Sequence, residues 1–514
     1  MPIDDDVRMR NAQQLSSTVT TYLGEPKQLF IGGEWVPSRD GETFAVENPA
    51  TGETIAEVFE ANEKDVDRAV AAARKAFESR DWRYIAPAQR AKLMWKLADL
   101  LEDHVDELAE LEALNQGKPV EIAKHIDVAG SADTLRYYAG WCTKIEGTTV
   151  PVSWPDERGE DAIGPPFHAY SVREPVGVVA AIVPWNVPLI MATAKLAPAI
   201  AAGCTIVIKP AEETPLTTLR YAELIQEAGF PPGVVNIITG YGHVTGAALA
   251  AHPDVDKVAF TGSTEVGKRI VEASAGNLKK VSLELGGKSP VVILADADVD
   301  QASQSAAEMI MLNSGQMCFA GSRLFAHKNV FDDVVDRVTA AAKGVQIGSG
   351  LDPDTDLGPL VSGRQLERVT EYVESGKSQG AEIVTGGCRF GDTGYFFEPT
   401  VAVNTGPDIR MEREEIFGPV LSINAIDDNS SIAEIAAMAN NTDYGLAATV
   451  WTRDLSKAHT LAAEIKAGIV WVNTPIVLDE ALPFGGYKQS GWGREGSRLG
   501  VEEYTETKSV IVAL

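Results

Sequence analysis

The sequence predicts an α/β protein built on open, mainly parallel sheets. Short, nearly continuous apolar runs stand at residues 176–183, 204–208, 234–238 and 257–260, the pattern of strands covered on both faces. Segments with helical spacing separate them, as parallel strands require. The alternation resumes over residues 324–469, and a chain of 514 residues is too long for one core, so two or three domains are expected.

Taken in order, residues 1–27 are polar and begin with Asp4, Asp5 and Asp6. They hold no apolar stretch of signal-peptide kind and read as a loosely held arm. Residues 29–36 and 43–46 alternate like strands, with turns at Gly32-Gly33 and Asp40-Gly41. Asn62 caps a helix in which Val66, Ala69, Val70, Ala73 and Phe77 recur at helical spacing. Further helices are expected over 88–101 and 104–114, stopped by Gly117 and Pro119. Residues 149–168 form a Pro-bearing, acidic excursion that interrupts the alternation. Another helix is bounded by Thr214 as cap, Pro215 in its first turn, and Gly229 and Pro231 at its end. The apolar run after Val176 is not a membrane span, because Pro184, Pro188, Lys195 and Pro198 break it. Residues 507–514 read as a terminal strand.

A net charge of −28 argues against nucleic acid and against anionic membrane surfaces as partners, since both are bound largely through Lys and Arg. Cys142, Cys204, Cys318 and Cys388 are far apart and form no CxxC, which points to a reducing, cytoplasmic setting. No HExxH and no paired histidines are present, so no metal is expected.

The chemistry centres on residues 281–323. There Val281-Ser-Leu-Glu-Leu-Gly-Gly-Lys-Ser-Pro290 sets Glu284 beside a Gly-Gly turn, and Asn313-Ser-Gly-Gln-Met-Cys-Phe-Ala-Gly-Ser-Arg323 sets Cys318 in a loop of small residues. A lone cysteine is more often structural, but Gly315, Gln316 and Gly321 suit a partly exposed, close-approach loop, where a thiol reacts. A thiol nucleophile with a separate carboxylate base performs acyl chemistry without a metal.

A parallel sheet also invites a dinucleotide fingerprint. The literal GxGxxG, Gly491-Trp-Gly-Arg-Glu-Gly496, follows no strand and is discounted; Gly240-Tyr-Gly-His-Val-Thr-Gly246 is off by one residue. Phe260-Thr-Gly-Ser-Thr-Glu-Val-Gly267 follows a strand and enters a helix. There Gly262 lets backbone approach a pyrophosphate and Ser263 can hydrogen-bond it, although a plain strand-to-helix turn reads the same way.

With these motifs in view, residues from about 29 to the C-terminus resemble the aldehyde dehydrogenase superfamily of the NAD(P)-dependent, non-acylating kind. The resemblance implies a Rossmann-like cofactor domain (residues 28–148 and 172–284) and an α/β catalytic domain (285–487). It also implies a small β oligomerisation arm (149–171 and 488–514), hence a homodimer or homotetramer. It gives Cys318 the role of nucleophile and Glu284 that of base. Pro184-Trp-Asn-Val-Pro188 matches the motif in which an Asn amide, here Asn186, forms the oxyanion hole, although an Asn between two prolines also suits a turn. Lys195 matches a lysine implicated in proton relay; an exposed lysine would look the same.

For the cofactor, Lys209-Pro-Ala-Glu212 matches the segment that holds the adenosine ribose, and Glu212 implies NAD, with NADP the weaker alternative. Glu415 and Phe417 match the nicotinamide end, and Gln365 a second ribose contact. The same offsets bring Ile182, Val183, Pro184, Trp185, Gly242, Phe260, Gly262, Ser263, Val266 and Leu285 to the cofactor.

For the substrate they give a tunnel of Val187, Met191, Ala194, Leu312, Met317, Phe319, Ile476, Leu478 and Phe484, with residues 473–484 crossing its mouth. All nine are apolar, which leaves nothing to pair with a charged substrate, and Val187, Ala194 and Leu478 are small enough for a wide mouth. Residues 138–147 and 167–175 also resemble bacterial phenylacetaldehyde dehydrogenases, so an aryl or medium-chain aldehyde is expected. The alternatives are another aldehyde, or cysteine esterase activity at the same site, which leaves Lys209, Glu212 and Glu415 without a role. A CoA-acylating enzyme would generally lack Glu284.

Overall fold

The computed structural model describes residues 15–474 and 476–514; residues 1–14 of the expected arm lie outside them. In chain order, β1 (Leu29–Ile31) and β2 (Glu34–Val36) form a hairpin over Gly32-Gly33, and β3 (Thr43–Asn48) pairs with β4 (Glu53–Phe59). After β5 (Phe167–Pro175) come β6 (Val178–Ile182), β7 (Thr205–Lys209), β8 (Val235–Ile237), β9 (Lys257–Thr261) and β10 (Lys280–Glu284). Next are β11 (Pro290–Ile293), β12 (Arg323–His327), β13 (Glu382–Thr385), β14 (Thr400–Val403), β15 (Val420–Ile426), β16 (Ala447–Trp451) and β17 (Ile469–Val472). β18 (Gly491–Trp492) and β19 (Thr505–Ala513) follow.

These strands make two large sheets. The first runs β18-β10-β9-β6-β7-β8-β1-β2, with a parallel centre from β10 to β8 and antiparallel edges. The second runs β13-β14-β15-β12-β11-β16-β17 and is parallel except at β13. Every residue of β6, β7 and β9 is buried, as the unbroken apolar runs required. Helix Pro188–Ala202 packs Leu196 and Ile200 into one core with Ile206 and Ile208 of β7. Each such aliphatic side chain contributes about 1.5–3 kcal/mol by leaving water.

Helix Glu63–Glu78 begins at Asn62, whose side chain accepts from the N–H groups of Lys64 and Asp65 while Asp65 reaches back to the Asn62 N–H. Helices Pro87–Asp103 and Val105–Gln116 follow, the second closed by Gly117 at φ +100°. Helix Leu216–Ala228 differs from expectation at its start. Thr214 does not cap it but donates to the Trp185 carbonyl at 3.2 Å, and distant Asn115 accepts from Leu216 N–H instead. A tertiary partner outcompetes the local one.

The described part of the N-terminal arm, from residue 15 on, is more ordered than its polarity implied. Ser17–Leu23 is a helix capped by Ser16, with Val19 fully buried and the Tyr22 hydroxyl donating to the Leu216 carbonyl. One buried apolar anchor and two long-range hydrogen bonds, the second from Ser16 N–H to Glu110 Oε1 at 2.8 Å, hold it.

β5 and β19 pair antiparallel along their full length, Phe167 opposite Ala513, as a ribbon apart from both sheets. The strand of the expected 488–514 arm therefore starts at Thr505. Residues before it serve the first sheet: β18 pairs with β10, and helix Ser497–Glu502 packs on helix Pro188–Ala202. Among the described residues no helix is long and apolar enough to cross a membrane.

Candidate active site

Four strands of the first sheet end at one edge, and the residues that follow them converge there. β6 leads into Pro184-Trp-Asn, β7 ends at Lys209, β9 leads into Gly262-Ser263, and β10 ends at Glu284. Ligands bind at this carboxyl edge of open parallel sheets. The edge faces a cavity of about 1660 Å³ that Cys318 enters from the loop before β12. That volume exceeds what one small ligand needs, so a cofactor and a substrate fit together.

The loop carrying Cys318 is strained. Asn313, Ser314 and Gly315 take successive left-handed conformations at φ +50°, +56° and +70°, costly for the two that carry side chains. The surroundings hold them there. Asn313 Nδ2 donates to the Asn186 carbonyl at 2.9 Å, Ser314 Oγ to the Gly358 carbonyl at 2.6 Å, and Val361 N–H to Gln316 Oε1 at 2.9 Å. Gly315 must be glycine, since a Cβ would fall 2.1 Å from the Gly418 carbonyl oxygen. Cys318 is half-buried, and burial, then the carboxylates of Glu415 and Glu284, push its thiol up to about 12.

Asn186 is buried and donates one amide hydrogen to the Gln316 carbonyl at 2.9 Å, which leaves its second for the cavity it lines. Glu284 is buried where the chain of Gly485 passes close; a Cβ there would sit 2.8 Å from Glu284 Oε1. Burial raises this carboxyl to about 8, with Lys195 and Arg494 acting against the rise. Lys195 is not a surface lysine: it is fully buried, stands behind the cavity wall, and pairs with Glu495. Burial lowers it to about 7, opposed by Glu284. Glu495 lines the cavity and lies in the discounted GxGxxG match at residues 491–496, where no motif assigned it a role.

The cofactor residues named from the sequence all line this cavity. Lys209 Nζ meets Glu212 Oε2 at 3.0 Å, and Gly242 N–H points at Glu212 Oε1 at 3.4 Å. That leaves a carboxylate able to accept from ribose hydroxyls and to repel a phosphate. Ser263 caps helix Thr264–Ser274, whose N-terminus favours an anion. Glu415 accepts from Gly287 N–H at 2.8 Å, and a Cβ on Gly286 would fall 2.3 Å from Glu415 Oε2 and displace that carboxylate. Phe417, at φ +62°, stands edge-on to Trp185 with ring centroids 5.2 Å apart. Gln365 spans to the carbonyls of Ile416 and Phe417 and so braces this loop. The donor set fits a dinucleotide from adenosine ribose to nicotinamide end. Among the described residues no cluster of His, Cys, Asp or Glu is placed to hold a metal ion.

The nine apolar residues expected along the substrate tunnel line the same cavity. Its mouth corrects the expectation of an all-apolar path. Asp133 and Thr134 of helix Ala129–Ala139 and Asp479 and Glu480 of the crossing loop line it too, and Thr134 Oγ1 donates to Glu480 Oε1 at 2.6 Å. Asp479 and Glu480 lay within the segment expected at the mouth, whereas nothing local marked Thr134.

Comparison with known proteins places this geometry. A family model described as the aldehyde dehydrogenase family matches residues 35–510. The chain is 47% identical over 493 residues to a phenylacetaldehyde dehydrogenase of Pseudomonas fluorescens, covering 95% of this chain and 96% of that protein. It is 46% identical to retinal dehydrogenase 2 of Mus musculus, covering 99% and 96%. Among solved structures, the NAD+ complex of an aldehyde dehydrogenase from Bacillus cereus superposes with a TM-score of 0.94 at 48% identity, covering 98% of this chain and all of that one.

Proposed function

The chain belongs to the aldehyde dehydrogenase family, and from that premise we propose that it oxidises an aryl or medium-chain hydrophobic aldehyde, of phenylacetaldehyde type, to the carboxylic acid with NAD. The observation that carries the reading is that one cavity gathers Cys318, Asn186, Glu284 and the Lys209–Glu212 pair. Bound NAD supplies the hydride acceptor. Lys209, Glu212 and Gly242 hold its adenosine end, Gly262 and Ser263 its phosphates, and Glu415 with Phe417 its nicotinamide end.

Cys318 Sγ forms a bond to the aldehyde carbon. Its thiol stands near 12, so its proton passes to Glu284 as that bond forms and on to Lys195, from which it returns at the end of the cycle. Asn186 Nδ2 donates to the resulting oxyanion together with the backbone N–H of Cys318. Once the aldehyde hydrogen has left with its electron pair, the acyl group remains on sulfur as a thioester. Glu284 takes a proton from water, the hydroxide attacks the acyl carbon, and the acid leaves as Cys318 regains its proton. Lys195, paired with Glu495 behind Glu284, carries the proton onward.

The absence of aromatic side chains at Val187, Ala194 and Leu478, which line the cavity, supports a bulky substrate. The 47% identity to a phenylacetaldehyde dehydrogenase supports the aryl choice. We further propose that residues 28–148 and 172–284 form the cofactor domain and 285–487 the catalytic one, that the β5–β19 ribbon joins copies into a dimer or tetramer, and that the enzyme is cytoplasmic.

The test is NADH formation by purified protein with phenylacetaldehyde, benzaldehyde, hexanal and acetaldehyde, each with NAD and NADP. The expected result is that NAD is preferred and the aryl and medium-chain aldehydes lead. Ester hydrolysis without reduction of either nucleotide would leave the thiol chemistry standing and remove the dehydrogenase.

A further inference from the structure

The cavity is charged unevenly along its length. Its Lys and Arg side chains, Lys209, Arg269, Arg364 and Arg368, stand on β7 and on helices Thr264–Ser274 and Gly363–Ser378, all at the cofactor end, where the carboxylates of Glu212, Glu213, Glu367, Glu371 and Glu415 accompany them. The substrate mouth carries carboxylates, Asp133, Asp479 and Glu480, beside exposed Leu478 and Leu482.

Glu480 is the one held in place. Thr134 is 1% exposed, and its hydroxyl, 2.8 Å from the Gly130 carbonyl, reaches Glu480 Oε1 at 2.6 Å. Burial raises the Glu480 carboxyl above its ordinary value; the Thr134 hydrogen bond acts against that rise by favouring the ionised form, while Asp479 and Asp133 add to it. The Glu480 backbone is fixed as well, since its carbonyl accepts from Ser497 N–H at 2.6 Å. One carboxylate oxygen and the backbone of Glu480 are thus both held, which opposes a swing into water to avoid a like charge.

We infer that Glu480, anchored by Thr134, selects the aldehyde by its far end, admitting a neutral or hydrogen-bond-donating group and refusing a carboxylate. This rests on the aldehyde-oxidising reading above. With the carbonyl at Cys318, the far end of an extended substrate lies along the apolar tunnel toward the mouth. There Glu480 accepts from a hydroxyl or N–H, whereas a second carboxylate meets like charge in a partly desolvated channel. The inferred substrates are hydrophobic aldehydes that end in hydrogen, hydroxyl or N–H.

The test compares kcat/KM within matched sets: phenylacetaldehyde with its 4-hydroxy and 4-carboxy forms, and hexanal with 6-oxohexanoate. Wild type is expected to disfavour each carboxylated member by about tenfold or more, the scale of a like-charge contact. Glu480→Gln should close most of that gap and erase any advantage of the hydroxyl form. Added salt should narrow the gap in wild type, a readout that needs no variant to fold. A gap absent from wild type, or unchanged in Glu480→Gln and at high salt, overturns the inference alone. A wild type that oxidises none of the five aldehydes overturns the parent reading along with it.

Discussion

The side-chain amide of Asn186 donates to the backbone carbonyl of Gln316 at 2.9 Å. This bond ties the loop after β6 to the loop that carries Cys318, so Asn186 and Cys318, the proposed oxyanion donor and nucleophile, are positioned by one another. Asn313 reinforces the link by donating back to the Asn186 carbonyl.

Replacing Asn186 by Ala removes one oxyanion donor and one tie on the Cys318 loop. The expected loss in kcat is about 10²–10³-fold, with cofactor affinity retained in a fluorescence titration. A kcat within a few-fold of wild type would show that the oxyanion lies elsewhere.

Cys318→Ala should form no NADH and no acyl adduct by intact-protein mass spectrometry, because no other described thiol lines the cavity. The variant should still bind NADH. Turnover in it would move the nucleophile to another group.

Glu284 makes a pH prediction with two signs. Burial lifts its carboxyl from the ordinary 4.5 to about 8, so folding favours the protonated form. Its contribution to stability is complete below the unfolded value and is lost as pH rises through about 8. Base function runs the other way, since only the carboxylate takes a proton. Acyl release, followed as decay of the adduct, should climb about tenfold per pH unit toward 8 and then level. Glu284→Gln should accumulate the adduct at every pH, yet melt higher than wild type in alkaline buffer. A variant that keeps the wild-type profile would assign the base to another residue.

Glu212→Ser removes the carboxylate beside Lys209 and leaves that lysine free to meet a 2′-phosphate. The preference for NAD over NADP, taken as the ratio of kcat/KM values, should fall by about tenfold or more. An unchanged ratio would place cofactor selection outside this pair.

Leu478→Phe narrows the tunnel where it opens. Phenylacetaldehyde should lose about tenfold in kcat/KM, the scale of a misfit in an apolar pocket, while acetaldehyde changes little. Equal losses on both aldehydes would mean that Leu478 does not line the path.

The parallel strands were legible because each is a local run of Val, Ile and Ala, and helix Glu63–Glu78 because its cap and its apolar spacing lie in one stretch. That Cys318, Asn186, Glu284, Lys209 and Glu212 would meet in one cavity was legible too, since each sits in a contiguous motif. Thr134, Glu495 and the bond from Asn115 to Leu216 were not. They act through partners from 101 to 346 residues away, and no window of sequence contains both ends. Thr214 shows the same limit in reverse, for its local capping pattern is sound but a distant carbonyl takes its hydroxyl.

The sequence by itself determined which groups this protein brings to its cavity: a thiol, a carboxylate, an amide and a Lys–Glu pair, each beside the turn that presents it. Tertiary structure decided their state and their company. Burial sets the thiol near 12 and the Glu284 carboxyl near 8, hides Lys195 against Glu495, and turns an apparently apolar tunnel into one with an acidic mouth. Identity is written residue by residue, whereas desolvation and charge pairing exist only once segments remote in the chain exclude water together.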